Sequence, residues 1–195
     1  MQILPRAVAV VLFFVSMASL LAKDGHEYKA KDGSRVVILA IRKWTRDAAY
    51  KSYESRLEFY SPQHEMLCAL DYSSEDHEHG FGIVKAAWTP DNNYFVFSLA
   101  SSGGHQSWHA PTLFYTIRDA EIHNLDSYVE AAGISKGEFT LKSPNIVLTE
   151  VWRGESIPAK FRLDSLMSNH KSKHPLSCTG GKIIQAEPYS LQPNG

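Results

Sequence analysis

Four histidines fall in two short stretches, S-S-E-D-H-E-H-G-F-G from Ser73 to Gly82 and S-S-G-G-H-Q-S-W-H-A-P from Ser101 to Pro111. His77 and His79 are two apart, a spacing that turns both to one side of an extended segment. His105 and His109 add two more imidazoles, and Glu75, Asp76 and Glu78 add carboxylates. A tetrahedral zinc site needs three or four such groups to converge. These four histidines are therefore the candidate metal ligands, with zinc as the candidate ion. The chain carries neither H-E-x-x-H nor C-x-x-C; His64-Glu65 begins the former, but no histidine follows at the needed spacing. Two solvated loops, with a histidine stacked on Trp108 or bonded to backbone, would use the same residues without any metal.

The same loops offer parts for two other kinds of chemistry. Ser101, Ser102 and Ser107 lie near histidines, and Gly103-Gly104 supplies backbone N–H groups of the kind that build an oxyanion hole. His79-Gly80-Phe81-Gly82 has the look of an esterase oxyanion loop, yet there is no G-x-S-x-G elbow and no phosphate-cradling glycine loop. No catalytic residue is assigned, and an enzyme is the less favoured reading. A recognition surface fits better. Ser102, His105 and Gln106 are adaptable hydrogen-bonding groups, and Trp108 is a rigid anchor among them.

Composition narrows the setting. Arg6 precedes the apolar run Ala7 to Val15, and small residues follow at Ser16, Ala18, Ser19 and Ala22. That order predicts a secretory signal peptide over residues 1–22, cut after Ala18 or Ala22. The run is short for a spanning helix, which wants about 20 apolar residues, so no stable membrane span is expected after cleavage. Removal of Arg6 leaves 19 basic and 21 acidic residues. With no concentrated basic patch, a nucleic-acid partner is not expected. The expected location is the periplasm or the exterior, with a protein or small ligand of that compartment as partner. The chain has two cysteines, Cys68 and Cys178. An exported pair can oxidise, which would tie the C-terminal tail to the middle of the chain; two free thiols are the alternative.

The elements that must hold the loops are mostly strands. Val36–Ile41 is a continuous β-branched run after the Asp32-Gly33 turn signal. Three hairpins follow: Leu57–Tyr60 with Met66–Leu70, Ile83–Trp88 with Tyr94–Leu99, and Thr112–Ile117 with Glu121–Leu125. Pro90 and Asn92 supply the dihedrals of the central turn. One short helix is predicted near Ser127–Ala132, from the capping box Ser127 to Glu130 and the stop at Gly133. Strands resume at Phe139–Leu141, Ile146–Trp152 and Lys160–Leu163. Residues 23–167 thus form a mainly β domain of antiparallel hairpins, and the polar segment 168–195 reads as an irregular tail.

The hairpins repeat. Phe59-Tyr60 and Phe114-Tyr115 are 55 residues apart, as are Leu67 and Ile122, Leu70 and Leu125, and Asp71 and Asp126. Thr89-Pro90-Asp91 has an echo in Ser143-Pro144-Asn145. A fixed period implies two or three repeated units, arranged as propeller-like blades or as an irregular sandwich. Trp88-Thr89-Pro90-Asp91-Asn92 and the strands around it, Ile83 to Leu125, resemble the WD-like β-propeller repeats of periplasmic Tol-system propellers, which carry W-S-P-D-G at this turn. The resemblance implies blade-like sheets and a role in protein binding. A closed propeller takes about four blades or more, and a 55-residue period leaves room for three. The reading that follows is an exported binding module that recognises its ligand through loops 73–82 and 101–111. The alternatives are a metal-binding protein or metal-dependent hydrolase built on the loop histidines, and a small periplasmic inhibitor or immunity-type protein.

Overall fold

A computed structural model describes residues 25–47, 50–76, 79–101, 111–128, 134, 137–169 and 175–186. The first strands are β1 (Gly25–Lys29), β2 (Arg35–Asp47), β3 (Tyr50–Tyr60) and β4 (Met66–Asp71). They are followed by β5 (Phe81–Trp88), β6 (Tyr94–Ser101), β7 (Thr112–Thr116) and β8 (Glu121–Asn124). After a 3-10 turn at Leu125–Tyr128 come β9 (Thr140–Lys142), β10 (Ile146–Trp152) and β11 (Ser156–Arg162). The chain closes with helix α1 (Leu163–Asn169) and two short strands, β12 (Leu176–Ser177) and β13 (Lys182–Gln185). The protein is mainly β.

Each set of four strands is an antiparallel meander, β1-β2-β3-β4 in one sheet and β5-β6-β7-β8 in the next. The tail completes both. β12 pairs antiparallel with β8 on the second sheet, and β13 pairs parallel with β4 on the first. A third sheet has the order β11-β10-β9. The described strands form an open stack of three sheets, with no closed ring among them.

Side-chain alternation explains the stacking. In β6, Phe95, Phe97 and Leu99 point into a core shared with Val36, Leu57 and Phe59 of the first sheet. Val96 points the other way, into a second core with Phe114, Leu125, Phe139 and Val147 that reaches the third sheet. The middle of the second sheet is therefore buried on both faces: Val84 and Lys85 of β5 are exposed, but every residue of β7 is buried. Such a strand reads as a continuous run, here Thr-Leu-Phe-Tyr-Thr, rather than as an alternation.

The strand registers fit the spacing seen in the sequence. Phe59 lies opposite Cys68 and Leu57 opposite Leu70; Phe114 lies opposite His123, each residue 55 beyond its counterpart. The opening turns match as well. Asp32 accepts from Ser34 N and Ser34 Oγ, both at 2.9 Å, and Asp91 accepts from Asn93 N at 3.2 Å and Asn93 Nδ2 at 3.1 Å. Gly33 (φ 95°) and Asn92 (φ 60°) occupy the left-handed position these Asx turns require.

These turns touch in a row at one end of the stack. Lys31 N donates to Asn92 Oδ1 at 3.0 Å. Asp91 N donates to Pro144 O at 3.1 Å, and Asn145 Nδ2 donates to the Asp91 carboxylate at 2.8 Å. Burial acts to raise the Asp91 pKa, but the donors Thr89, Asn145 and Asn93 outweigh it and hold the carboxyl below its ordinary value. The two sequence segments that echoed each other, at Pro90 and at Pro144, are spatial neighbours.

Three features differ from the sequence expectation. The described helical turn, Leu125–Tyr128, is capped by Asn124, whose Oδ1 accepts from Asp126 N at 2.9 Å, and Ser127 donates to Asn124 O; residues 129–132 of the helix expected near Ser127–Ala132 lie outside the described residues. The strand expected to run to Leu163 stops at Arg162, and Leu163, fully buried, opens α1. Segment 175–186 forms β12 and β13 where its polarity suggested irregular chain.

A buried histidine sits in the second core. The His123 ring stacks on Phe114 (centroids 5.1 Å apart, 13° between planes), and its Nδ1 lies 3.2 Å from Tyr128 Oη. Nε2 is 3.4 Å from Glu121 Oε2 but makes no hydrogen bond, so that contact becomes an ion pair only if the ring is charged. Burial, opposed only in part by Asp119, lowers the pKa to about 4. The unfolded chain binds this proton near pH 6.5, so the stability from the neutral ring is full above that pH and is lost as pH falls toward 4. Urea unfolding of the wild type should therefore weaken between pH 7 and pH 4.5 by on the order of 2 kcal/mol more than that of His123→Gln. Equal pH slopes for the two proteins would remove His123 as the cause.

Candidate functional site at the loop end of the stack

Opposite the row of turns, the stack ends in loops. β4 rises to this end, and residues 72–80 carry the chain across to β5. Phe81, the first residue of β5, pairs with Ser101, the last of β6. The loop that ends at Gly80 and the segment that begins at residue 102 thus leave adjacent strands at the same point. The return is fixed as well, since Leu99 N donates to Pro111 O at 2.9 Å. Backbone pairing, not side-chain chemistry, brings the two histidine-bearing stretches together at their roots.

The same end carries a projection. The β1–β2 ladder covers Arg35–Leu39 of β2, and the β3–β4 ladder covers Arg56–Tyr60 of β3. Beyond them β2 and β3 continue as a two-stranded ribbon to the Asp47–Tyr50 pair, with register shifts at Ala40/Arg42 and Thr45/Asp47. Bulges of this kind sharpen the local twist and aim a ribbon away from its sheet.

Loop 72–80 is built around Glu54, a β3 carboxylate that is 2% exposed. Ser74 Oγ donates to Glu54 Oε1 at 2.7 Å, and Gly80 N donates to the same oxygen at 3.2 Å. A buried carboxylate needs such donors, because an unsatisfied one carries a large desolvation cost. His79 N donates to Ser74 Oγ at 3.2 Å and to Asp76 Oδ1 at 3.1 Å. The His79 ring meets Asp76 through Nδ1 in a short contact, which favours the proton on Nδ1 and the lone pair on Nε2. Asp71 accepts from Ser73 N at 2.9 Å and Ser73 Oγ at 2.7 Å, and Gln185 Nε2 donates to Ser73 O.

Above these bonds lies a cavity of about 640 Å³, lined among the described residues by Tyr72, Ser73, Ser74, Glu75, His79 and Gln185, with Phe81 beside them. Its described lining holds carboxylate, imidazole and amide groups with two aromatic residues, Tyr72 and Phe81, and no lysine or arginine. The Ser74 proton goes to Glu54, while Asp76 engages the Nδ1 face of His79. This is a hydrogen-bonding wall rather than an activated nucleophile, which would need its proton accepted by the imidazole.

Of the candidate residues, His79 and Glu75 belong to this wall, and Asp76 stands behind it against His79. His77, Glu78, Ser102, His105, Gln106, Trp108 and His109 lie outside the described residues. Among the described residues no three His, Cys, Asp or Glu side chains group as metal ligands. No local pattern pointed to Glu54 or Gln185, which come from a distant strand and from the tail. Cys68 and Cys178 form a disulfide, both fully buried, with Cα atoms 5.0 Å apart.

Gly80 is a tight point. A Cβ there would collide with Glu54 Oε1 and would sit 2.6 Å from Tyr72 O. Gly80→Ala should therefore displace the loop, at a cost of about 1–3 kcal/mol, and shift the His79 ring resonances in an NMR spectrum. An unchanged His79 environment would show that Glu54 does not organise the loop.

The chain matches no protein-family model, no curated protein and no solved structure. Among the described residues, no helix is long and apolar enough to cross a membrane.

Proposed function

We propose that the protein is an exported binding module whose recognition surface is the loop end of the stack. The observation that supports this most is the Phe81–Ser101 pairing, which makes the chain leave β5 and β6 at adjacent points, beside the cavity that Phe81 helps to line. Rigid β frameworks commonly carry variable specificity on such clustered loops. Among the described residues the opposite end is made of tight turns, and β7 at the middle of the second sheet is buried along its whole length. The four-stranded meanders, with their Asp-led opening turns, also support the resemblance to propeller blades and the binding role it implies.

A second reading has a specific observation behind it. His79 stands on this wall with its Nδ1 held by Asp76, the carboxylate–imidazole pairing that orients many metal-ligating histidines. His77, His105 and His109 belong to the same two stretches, so zinc handling is the alternative use of this end.

One experiment separates the two. Zinc is titrated calorimetrically into wild type, His79→Ala and a His77→Ala/His105→Ala double variant. The same proteins, and one with residues 102–110 replaced by a short Gly-Ser linker, are used to capture partners from a periplasmic extract. Stoichiometric zinc binding that both histidine variants lose selects the metal reading. A reproducible partner lost only with the linker, and no zinc binding, selects the binding module. A partner retained by every variant would overturn the assignment of the loop end.

A further inference from the structure

The segment 175–186 follows a U-shaped course around the open edges of the first two sheets. It descends along β8 as β12, where Leu176 lies opposite Ile122 and Ser177 opposite Glu121. At the bottom, Cys178 N donates to Ala120 O at 2.8 Å, and Gly180 (φ 77°) and Gly181 (φ 65°) turn the chain toward the other sheet. It then climbs beside β4 as β13, with Lys182 opposite Cys68 and Gln185 opposite Asp71. The climb ends at the cavity, where Gln185 Nε2 donates to Ser73 O and Ala186 N donates to Asp71 O at 2.8 Å.

Apart from the disulfide, the strap is held by two short strands and by Leu176, Ile184 and Ala186 against the core. β12 is two residues long and β13 four. Lys182, Ile183 and Gln185 are exposed, and only Ile184 of β13 packs on the core. The Cys68–Cys178 bond clamps the bend of the U. Gln185, on the cavity wall, is three residues beyond the Lys182–Cys68 pair, about 10 Å of extended chain. A constraint at the bend therefore fixes the position of a wall residue.

We propose that this strap couples the Cys68–Cys178 disulfide to the loop-end cavity, so that reduction by an external dithiol loosens the cavity wall. The inference rests on the cavity being the binding site of the module. In the reaction, a thiolate of the dithiol attacks one cystine sulfur and the released cysteine thiolate takes a proton. The second dithiol sulfur then resolves the mixed disulfide. Two electrons and two protons pass to Cys68 and Cys178, and the dithiol becomes a disulfide. Because both sulfurs are buried, attack requires the short β12 segment to lift first, a local opening rather than global unfolding.

Hydrogen–deuterium exchange on the oxidised protein, the dithiothreitol-reduced protein and oxidised Gln185→Ala tests this without any ligand. Failure here would thus leave the binding reading untouched. Reduction should speed exchange by about tenfold or more in segments 175–186 and 72–81, while Phe95–Leu99 keeps its protection. Gln185→Ala should speed the 72–81 segment alone. Unchanged exchange in 72–81 after the strap has loosened would overturn the coupling. If reduction instead unfolds the whole chain, oxidised Gln185→Ala decides: unchanged exchange in 72–81 refutes the strap as a wall, and faster exchange there supports it.

Discussion

Replacing Cys68 and Cys178 together by serine should lower the unfolding free energy by about 4–5 kcal/mol, the largest single effect expected in this protein. The bond closes a loop of 110 residues, and in the chain-entropy picture the constraint on the unfolded state grows with loop length to about this size. Cys68 lies in β4 and Cys178 just beyond β12 at the bend of the strap, with Cα atoms 5.0 Å apart, a separation that a disulfide spans. Serine hydroxyls in a core this dry would add a desolvation cost of their own. Urea unfolding of the oxidised wild type and the double variant measures the difference. A loss below about 1 kcal/mol would mean that the unfolded chain is already held compact by other contacts. The double Cys→Ala variant separates the two contributions, because it removes the bond without burying hydroxyls.

Truncating Phe114 to alanine should cost about 3–5 kcal/mol. Phe114 is fully buried on the face of the second sheet that meets the third. It stacks on His123 and has Tyr94 and Tyr128 near it, with centroids 6.0 Å and 6.1 Å away. None of these groups can collapse into the space freely, because each is anchored in a strand or the 3-10 turn, so most of the cavity persists. Val84→Ala is the control: Val84 is 55% exposed, and surface truncations of this kind fall within about 0.5 kcal/mol. Equal costs for the two would contradict the assignment of a core between the second and third sheets.

What the sequence revealed, and what it hid, follows from the range of each interaction. The hairpins Leu57–Tyr60 with Met66–Leu70, and Ile83–Trp88 with Tyr94–Leu99, were legible because their turns carry Pro, Asn or Asp and their partners are close in the chain. The N-terminal half of β3, Tyr-Lys-Ser-Tyr-Glu-Ser, was not, since a two-stranded ribbon need not alternate apolar and polar residues. Lys-Ile-Ile-Gln gives no local sign that it pairs in parallel with a strand more than 100 residues earlier. At the candidate site, the histidines and carboxylates of 75–79 were visible as chemistry. Glu54 and Gln185 were invisible, because their role arises only when β3 and β13 are laid beside the loop. The alternation rule also has a limit at β7, where both faces are buried and every residue has a packing partner.

That double burial sets how much sequence change each sheet can absorb. In a saturation scan read out by abundance, all five positions of β7 should reject most substitutions, while β1, exposed along most of its length, should accept many. The inner strands of the second sheet are then nearly fixed in sequence, and change falls on exposed positions such as Val84 of β5 and on the loops where chain leaves the sheet. For the binding module proposed above, change of ligand and preservation of fold fall on different residues, so the loop end can diverge among descendants while the strands beneath it stay recognisable.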